Sequence, residues 1–247
     1  TPLYSSAASD VYKRQVFRTQ ARGGKGVTGM TTKEVANIAK KELKKLGGKP
    51  AFYGYSGFPD VICVSLNEEI VHGIPSDRKL ESGDLIGLDF GVNYEGMITD
   101  AARTIIVGKG EDPRGLVATT EQALYAGIDV ISDGVSIGDI GAAVSEVLES
   151  KQFGIVRDLV GHGVGHELHE EPNIPNYGTR GIGEKLKSGM TVAIEPMATL
   201  GSYEVVIAPD GWTVKTKDGS LASHAEHTVL ILDGGYEILT ALPENKG

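Results

Sequence analysis

The sequence predicts an α+β fold made of two related halves, each an antiparallel hairpin backed by helices. Three observations predict it. Residues 80–89, LESGDLIGLD, echo residues 186–195, LKSGMTVAIE: Leu, Ser and Gly align, a mostly apolar run follows, and Asp89 falls on Glu195. Helical apolar periods over about 32–46, 113–132 and 137–151 alternate with groups of short strand runs. The last third reads almost wholly as strands, at 190–198, 203–208, 212–216, 226–232 and 236–240.

Composition narrows the class. With 247 residues, 40% hydrophobic and 23% charged, the chain is long enough for one well-packed catalytic domain. A net charge of −9 argues against nucleic acid or an anionic membrane as main partner. The single cysteine, Cys63, excludes an internal disulfide framework and suits a reducing, cytoplasmic setting. No apolar run reaches the length of a membrane span.

In chain order, residues 1–15 show no sustained apolar period and read as a non-native or disordered tail, leaving 16–247 as the domain. Thr31-Thr32-Lys33-Glu34 is a capping-box signature. Val35, Ile38, Ala39, Leu43 and Leu46 continue at helical spacing until Gly47-Gly48. Residues 51–59, AFYGYSGFP, set four aromatics among small residues, either a loop covering the core or the wall of an apolar pocket. A short strand follows over 61–66, and then His72-Gly73, where a lone histidine is open to a structural or a functional reading. Residues 84–92 and 97–107 form a hairpin around Tyr94-Glu95-Gly96. Pro113 opens one helix; Ser136 and Asp139 cap the next.

The hairpin carries Asp89 and Asp100. Aspartate is depleted in strands and costly when buried alone, and two facing carboxylates repel unless a cation lies between them. The alternative is one buried aspartate paired with Arg103. If the echo marks two halves, Glu195 and Glu226 meet these aspartates. Residues 161–172, GHGVGHELHEEP, then hold three of the six histidines, with His162 as the nitrogen ligand. Four carboxylates exceed the charge of one ion but suit two divalent ions about 3.5–4 Å apart. Oxygen-rich ligation with one imidazole favours Mn, Fe(II) or Co. The matching chemistry is hydrolysis of an amide, ester or phosphate.

The ordered motifs Ser65-Leu66-Asn67-Glu68 with His72-Gly73-Ile74-Pro75, Asp89 with Asp100, Gly161-His162-Gly163 with His169-Glu170-Glu171-Pro172, Glu195-Pro196-Met197 and Glu226-His227-Thr228 together resemble the type I methionine aminopeptidases, members of the "pita-bread" metallopeptidases. The resemblance spans about 30–242. It implies a pseudo-twofold pita-bread fold and removal of N-terminal methionine from peptides and nascent chains. It implies two divalent ions (Co, Mn, Fe(II) or Zn) on Asp89, Asp100, His162, Glu195 and Glu226, with Asp100 and Glu226 bridging. His169 resembles the residue that stabilises the tetrahedral intermediate, His72 the one that contacts substrate near the scissile amide, and Glu195 a proton shuttle. Tyr55, Phe58, Cys63, Leu168 and Trp212 fall where the family builds its methionine pocket. A monomer in transient contact with the ribosome is the implied assembly. The run Ser223-His224-Ala225 departs from the common pattern, in which a Gln and an aromatic precede the final Glu, and the family's leading helix is not recognisable. Two alternatives share these motifs: a relative acting on Xaa-Pro bonds, and a catalytically dead binding module.

Overall fold

The computed structural model describes residues 26–241, so the expectations for residues 1–15 lie outside the described residues. Among the described residues, helices Thr32–Lys45 and Leu116–Asp129 each bury one face, and helix Ile137–Ser150 is buried on all sides over 140–145. Helix Thr32–Lys45 opens with both bonds of the expected capping box: Thr31 N–H donates to Glu34 Oε2 at 2.7 Å, and Glu34 N–H donates to Thr31 Oγ1 at 3.1 Å. Helix Leu116–Asp129 begins later than expected, because residues 113–115 form a short 3₁₀ turn in which Arg114 is left-handed. Helix Ile137–Ser150 starts from Ser136, whose N–H bonds Asp139 Oδ2 at 3.1 Å.

The strands are more divided than a single antiparallel sheet. Among the described residues they form five sheets, and every ladder is antiparallel. The reason lies in four kinks. The strand expected over 84–92 breaks after Leu85–Asp89 and resumes at Val92–Tyr94. Its return partner breaks between Met97–Thr99 and Ala102–Ile106, which places Asp100 in the gap rather than inside a strand. The second half repeats this. Thr191–Ile194 and Met197–Thr199 flank Glu195, and Ala222–His224 and His227–Leu232 flank Glu226. The ladders on either side of each gap are in register: Asp89 faces Ala102 and Val92 faces Thr99, while Ile194 faces His227 and Met197 faces His224. The two acid pairs thus occupy equivalent crossings between sheets, as the echo of residues 80–89 and 186–195 anticipates.

The halves meet through their return strands. Glu226 N–H donates to Ala102 O at 2.8 Å, and Thr104 Oγ1 donates to His224 O at 2.9 Å. One apolar cluster, including Val35, Leu43, Ile62, Ile86 and Phe90, fills the first half. Another, with Leu124, Ile128, Ile140, Val192 and Ile231, fills the second under two of the helices. A smaller cluster of Phe52, Phe58, Cys63 and Leu168 lies at the seam between them.

Candidate metal centre and adjoining pocket

Every residue singled out for the site from the sequence lines one cavity: Asp89, Asp100, His162, Glu195 and Glu226 at its floor, His72 and His169 beside them, and Tyr55, Phe58, Cys63, Leu168 and Trp212 around its apolar side. Phe52, from the aromatic stretch 51–59, and Met197, from the Glu195-Pro196-Met197 motif, complete the lining with Val71, Leu159 and Val160, which carried no signal of their own in the sequence. The cavity is about 150 Å³. An apolar cavity of roughly that size admits a molecule like benzene, so this one suits a single side chain.

The floor is built by close backbone packing. Strand Gly161–Gly163 runs between Thr191–Ile194 and Glu170–Ile174. A Cβ on Gly161 would stand 2.3 Å from Ala193 O, and one on Gly163 2.4 Å from Glu171 O. The glycines that bracket His162 are therefore required by the strand spacing. His162 Nδ1 lies 2.9 Å from Gly163 O. A carbonyl only accepts, so Nδ1 carries the proton and Nε2 presents a lone pair to the acids, 3.5 Å from Glu195 Oε1. One ligating atom each from Asp100, His162 and Glu226 lies within 4.8 Å of the others.

The electrostatics of the floor are those of crowded acids. Burial, then the Asp100 and Glu195 charges, push Asp89 well above the usual carboxylate range. Burial and Glu195 raise Asp100 to about 7; burial raises Glu195 to about 7 against the opposing pull of His162. Glu226 is pushed well up by burial and by Asp100. One oxygen each of Asp89, Asp100 and Glu226 is buried without a hydrogen-bond partner. Buried polar atoms are almost always satisfied, so three orphaned carboxylate oxygens around an imidazole lone pair call for a cation. The donor set fits divalent metal ions. Arg103 does not neutralise the aspartates; its Nη2 pairs with Glu121 Oε1 at 3.1 Å.

The other histidines divide clearly. His72 sits at φ 59°, a left-handed conformation that is strained for a non-glycine residue, and burial holds its pKa down at about 4. His169 packs edge-on against His162 with ring centres 4.3 Å apart. Burial and His72 lower its pKa, so it is neutral near pH 7. His166 is exposed and outside the cavity lining. His227 turns away, its Nδ1 2.8 Å from Thr240 Oγ1. His224 is buried, with Nε2 3.4 Å from Glu195 Oε2 but not aligned for a hydrogen bond.

Residues 5–233 match metallopeptidase family M24. The chain belongs to metallopeptidase family M24. Two similar M24 relatives are a methionine aminopeptidase of Clostridium acetobutylicum, 47% identical over 214 residues and 86% of each chain, and methionine aminopeptidase 1 of Bacillus subtilis, 46% identical with the same coverage. The crystal structure of methionine aminopeptidase from Thermotoga maritima superposes with a TM-score of 0.91 at 44% identity, covering 97% of each chain. Prolidase from Pyrococcus furiosus, 24% identical, shares the M24 fold at a TM-score of 0.73, over 98% of this chain and 64% of the other. Among the described residues no helix is long and apolar enough to cross a membrane.

Proposed function

We propose that this M24 chain is a methionyl aminopeptidase, which hydrolyses the first peptide bond of peptides and nascent chains that begin with methionine. One observation carries the reading: three buried acids, the partly buried Glu195 and one oriented imidazole converge at the floor of a side-chain-sized apolar pocket. The named relatives support the choice of methionine as the residue that fills it. In this reading Asp89, Asp100, His162, Glu195 and Glu226 would hold two divalent ions. When bound, such a pair lowers the pKa of water and polarises a carbonyl.

The remaining steps belong to the chain's own side chains. Phe58, Trp212, Leu168, Tyr55 and Cys63 hold the thioether side chain. Phe58 and Trp212 meet edge to face at 5.2 Å, a rigid wall that suits a polarisable sulfur. Cys63 is inert there, because burial and Asp89 push its thiol up. Glu195 carries a proton from the attacking water to the leaving amine. His72 contacts the scissile amide. His169, neutral and at the pocket rim, donates to the carbonyl oxygen as it gains charge.

The test is hydrolysis of Met-Ala-Ser and Ala-Pro peptides by metal-free protein, titrated separately with Mn, Fe(II), Co and Zn. Metal-dependent release of methionine supports the reading. Preference for Ala-Pro would assign an Xaa-Pro peptidase. Metal binding with no hydrolysis of either peptide would overturn it.

A further inference from the structure

The proposed role of His169 needs a particular tautomer. A neutral imidazole has one N–H, and only a ring with the proton on Nε2 can donate from that nitrogen while Nδ1 is held elsewhere. His169 is solvent-exposed at the pocket rim, so burial alone does not fix its ring. Its Nδ1 lies 2.7 Å from Tyr55 Oη, and the two rings pack with centres 5.2 Å apart.

Tyr55 is itself held firmly. Four backbone bonds tie residues 52–58 together: Gly54 N–H to Phe58 O at 2.9 Å, Tyr55 N–H to Phe52 O at 2.9 Å, Gly57 N–H to Gly54 O at 3.1 Å, and Phe58 N–H to Tyr55 O at 2.8 Å. Gly54 and Gly57 take the left-handed φ values of 83° and 89° that this tight loop needs, and Ser56 takes 47°. Phe52 and Phe58 anchor both ends of the loop in the apolar cluster with Cys63 and Leu168. The Tyr55 hydroxyl is thus presented from a preorganised loop, 114 positions from the histidine that it meets.

Resting on the proposed peptidase reading, we propose that Tyr55 is a positioning residue whose hydroxyl donates to His169 Nδ1 and so keeps the proton on Nε2, aimed at the carbonyl oxygen of the scissile bond. The reverse bond, from an Nδ1–H to the phenol oxygen, would turn an Nε2 lone pair toward an oxygen that is gaining charge. The two lone pairs would repel. Tyr55 therefore does more than line the pocket: its ring serves the methionine side chain and its hydroxyl serves the reaction.

Tyr55→Phe keeps the ring and removes the bond. In the metal-loaded protein kcat on Met-Ala-Ser falls about ten- to hundred-fold, the usual cost of losing a group that orients a working histidine. KM changes little, because the pocket wall survives. Long-range proton–nitrogen NMR of the zinc-loaded protein reads the tautomer directly. His169 is the Nε2–H form in the parent and a mixture of tautomers in Tyr55→Phe. In a His169→Ala background the Tyr55→Phe change costs almost nothing further, since a residue acting through His169 has nothing left to act on. An unchanged tautomer in Tyr55→Phe, or losses that simply add in the double variant, would overturn the proposal. If the parent hydrolyses no methionine peptide with any metal, the peptidase reading fails, and the tautomer comparison still decides whether Tyr55 sets the ring.

Discussion

Thr228 Oγ1 accepts the Asp100 N–H at 2.8 Å and donates to Asp100 O at 2.7 Å, across 128 positions of sequence. One hydroxyl satisfies both backbone groups of a candidate metal ligand at the point where its strand is broken. The latch also joins the two halves, because Asp100 follows the break in the first return strand and Thr228 lies in the second. Both residues are fully or almost fully buried.

Thr228→Val therefore leaves a buried N–H and a buried C=O without partners. At about 1–3 kcal/mol for each of the two orphaned groups, we expect a loss of roughly 2–6 kcal/mol in urea unfolding of the metal-free protein. Metal affinity should fall as well, although every carboxylate is still present. An unchanged unfolding midpoint would remove the latch from the account.

Asp100→Asn and Glu226→Gln test the bridging assignment. Each keeps the side-chain volume and removes a charge that the proposed bridge would share between two ions. Both variants should lose bound metal along with activity, measured by elemental analysis after dialysis. Full metal content in either would count against a bridge there.

His169→Ala separates chemistry from metal binding. We expect metal content to be retained and turnover to drop about 10²–10³-fold, the usual effect of removing one donor to a developing oxyanion. Parent-like turnover would exclude His169 from the reaction.

Proton linkage gives a signed prediction. In the metal-free protein Asp100 and Glu195 titrate at about 7, and Asp89 and Glu226 well above their usual range. The folded state then holds protons that the unfolded chain has lost above roughly pH 4, so these groups lower stability as pH rises. His72 and His227 at about 4 and His224 at about 3 act in the opposite sense, and their effect fades above roughly pH 6.5. Above about pH 7 the acids act alone. Metal-free protein should melt at a lower temperature at pH 8.5 than at pH 7, and metal binding should release protons and tighten as pH rises through about 7. Calorimetry in buffers of different ionisation enthalpy reads the release; a heat that does not vary with buffer would contradict it.

Trp212→Ala removes the ring that meets Phe58 edge to face. KM for Met-Ala-Ser should rise while KM for a peptide with a smaller first residue changes less. Equal ratios before and after the change would take Trp212 out of the pocket.

The sequence exposed two of the acids for a simple physical reason: Asp89 lies inside an apolar run and Glu195 ends one, and in either place a charge stands out. His162 stood out through its flanking glycines. The breaks next to Asp100 and Glu226 left no such mark, because residues on both sides keep the composition of strands. Thr228 was equally hidden, since threonine among Val, Leu and Ile is ordinary strand sequence. The stretch 51–59 showed aromatics suited to a wall but not the left-handed turns that aim Tyr55 at His169. That contact joins segments over a hundred positions apart, and nothing in either segment alone points to the other.

The sheet crossings have a consequence for biosynthesis. Asp89 and Asp100 leave the ribosome more than a hundred residues ahead of Glu226, and the strand that shields Asp100 follows later still. Until then the first half displays an unsheltered pair of acids at the end of an incomplete sheet. The candidate metal site is therefore completed late, by a contact between segments more than a hundred positions apart, and such non-local closure carries an entropic cost that local propensity does not supply.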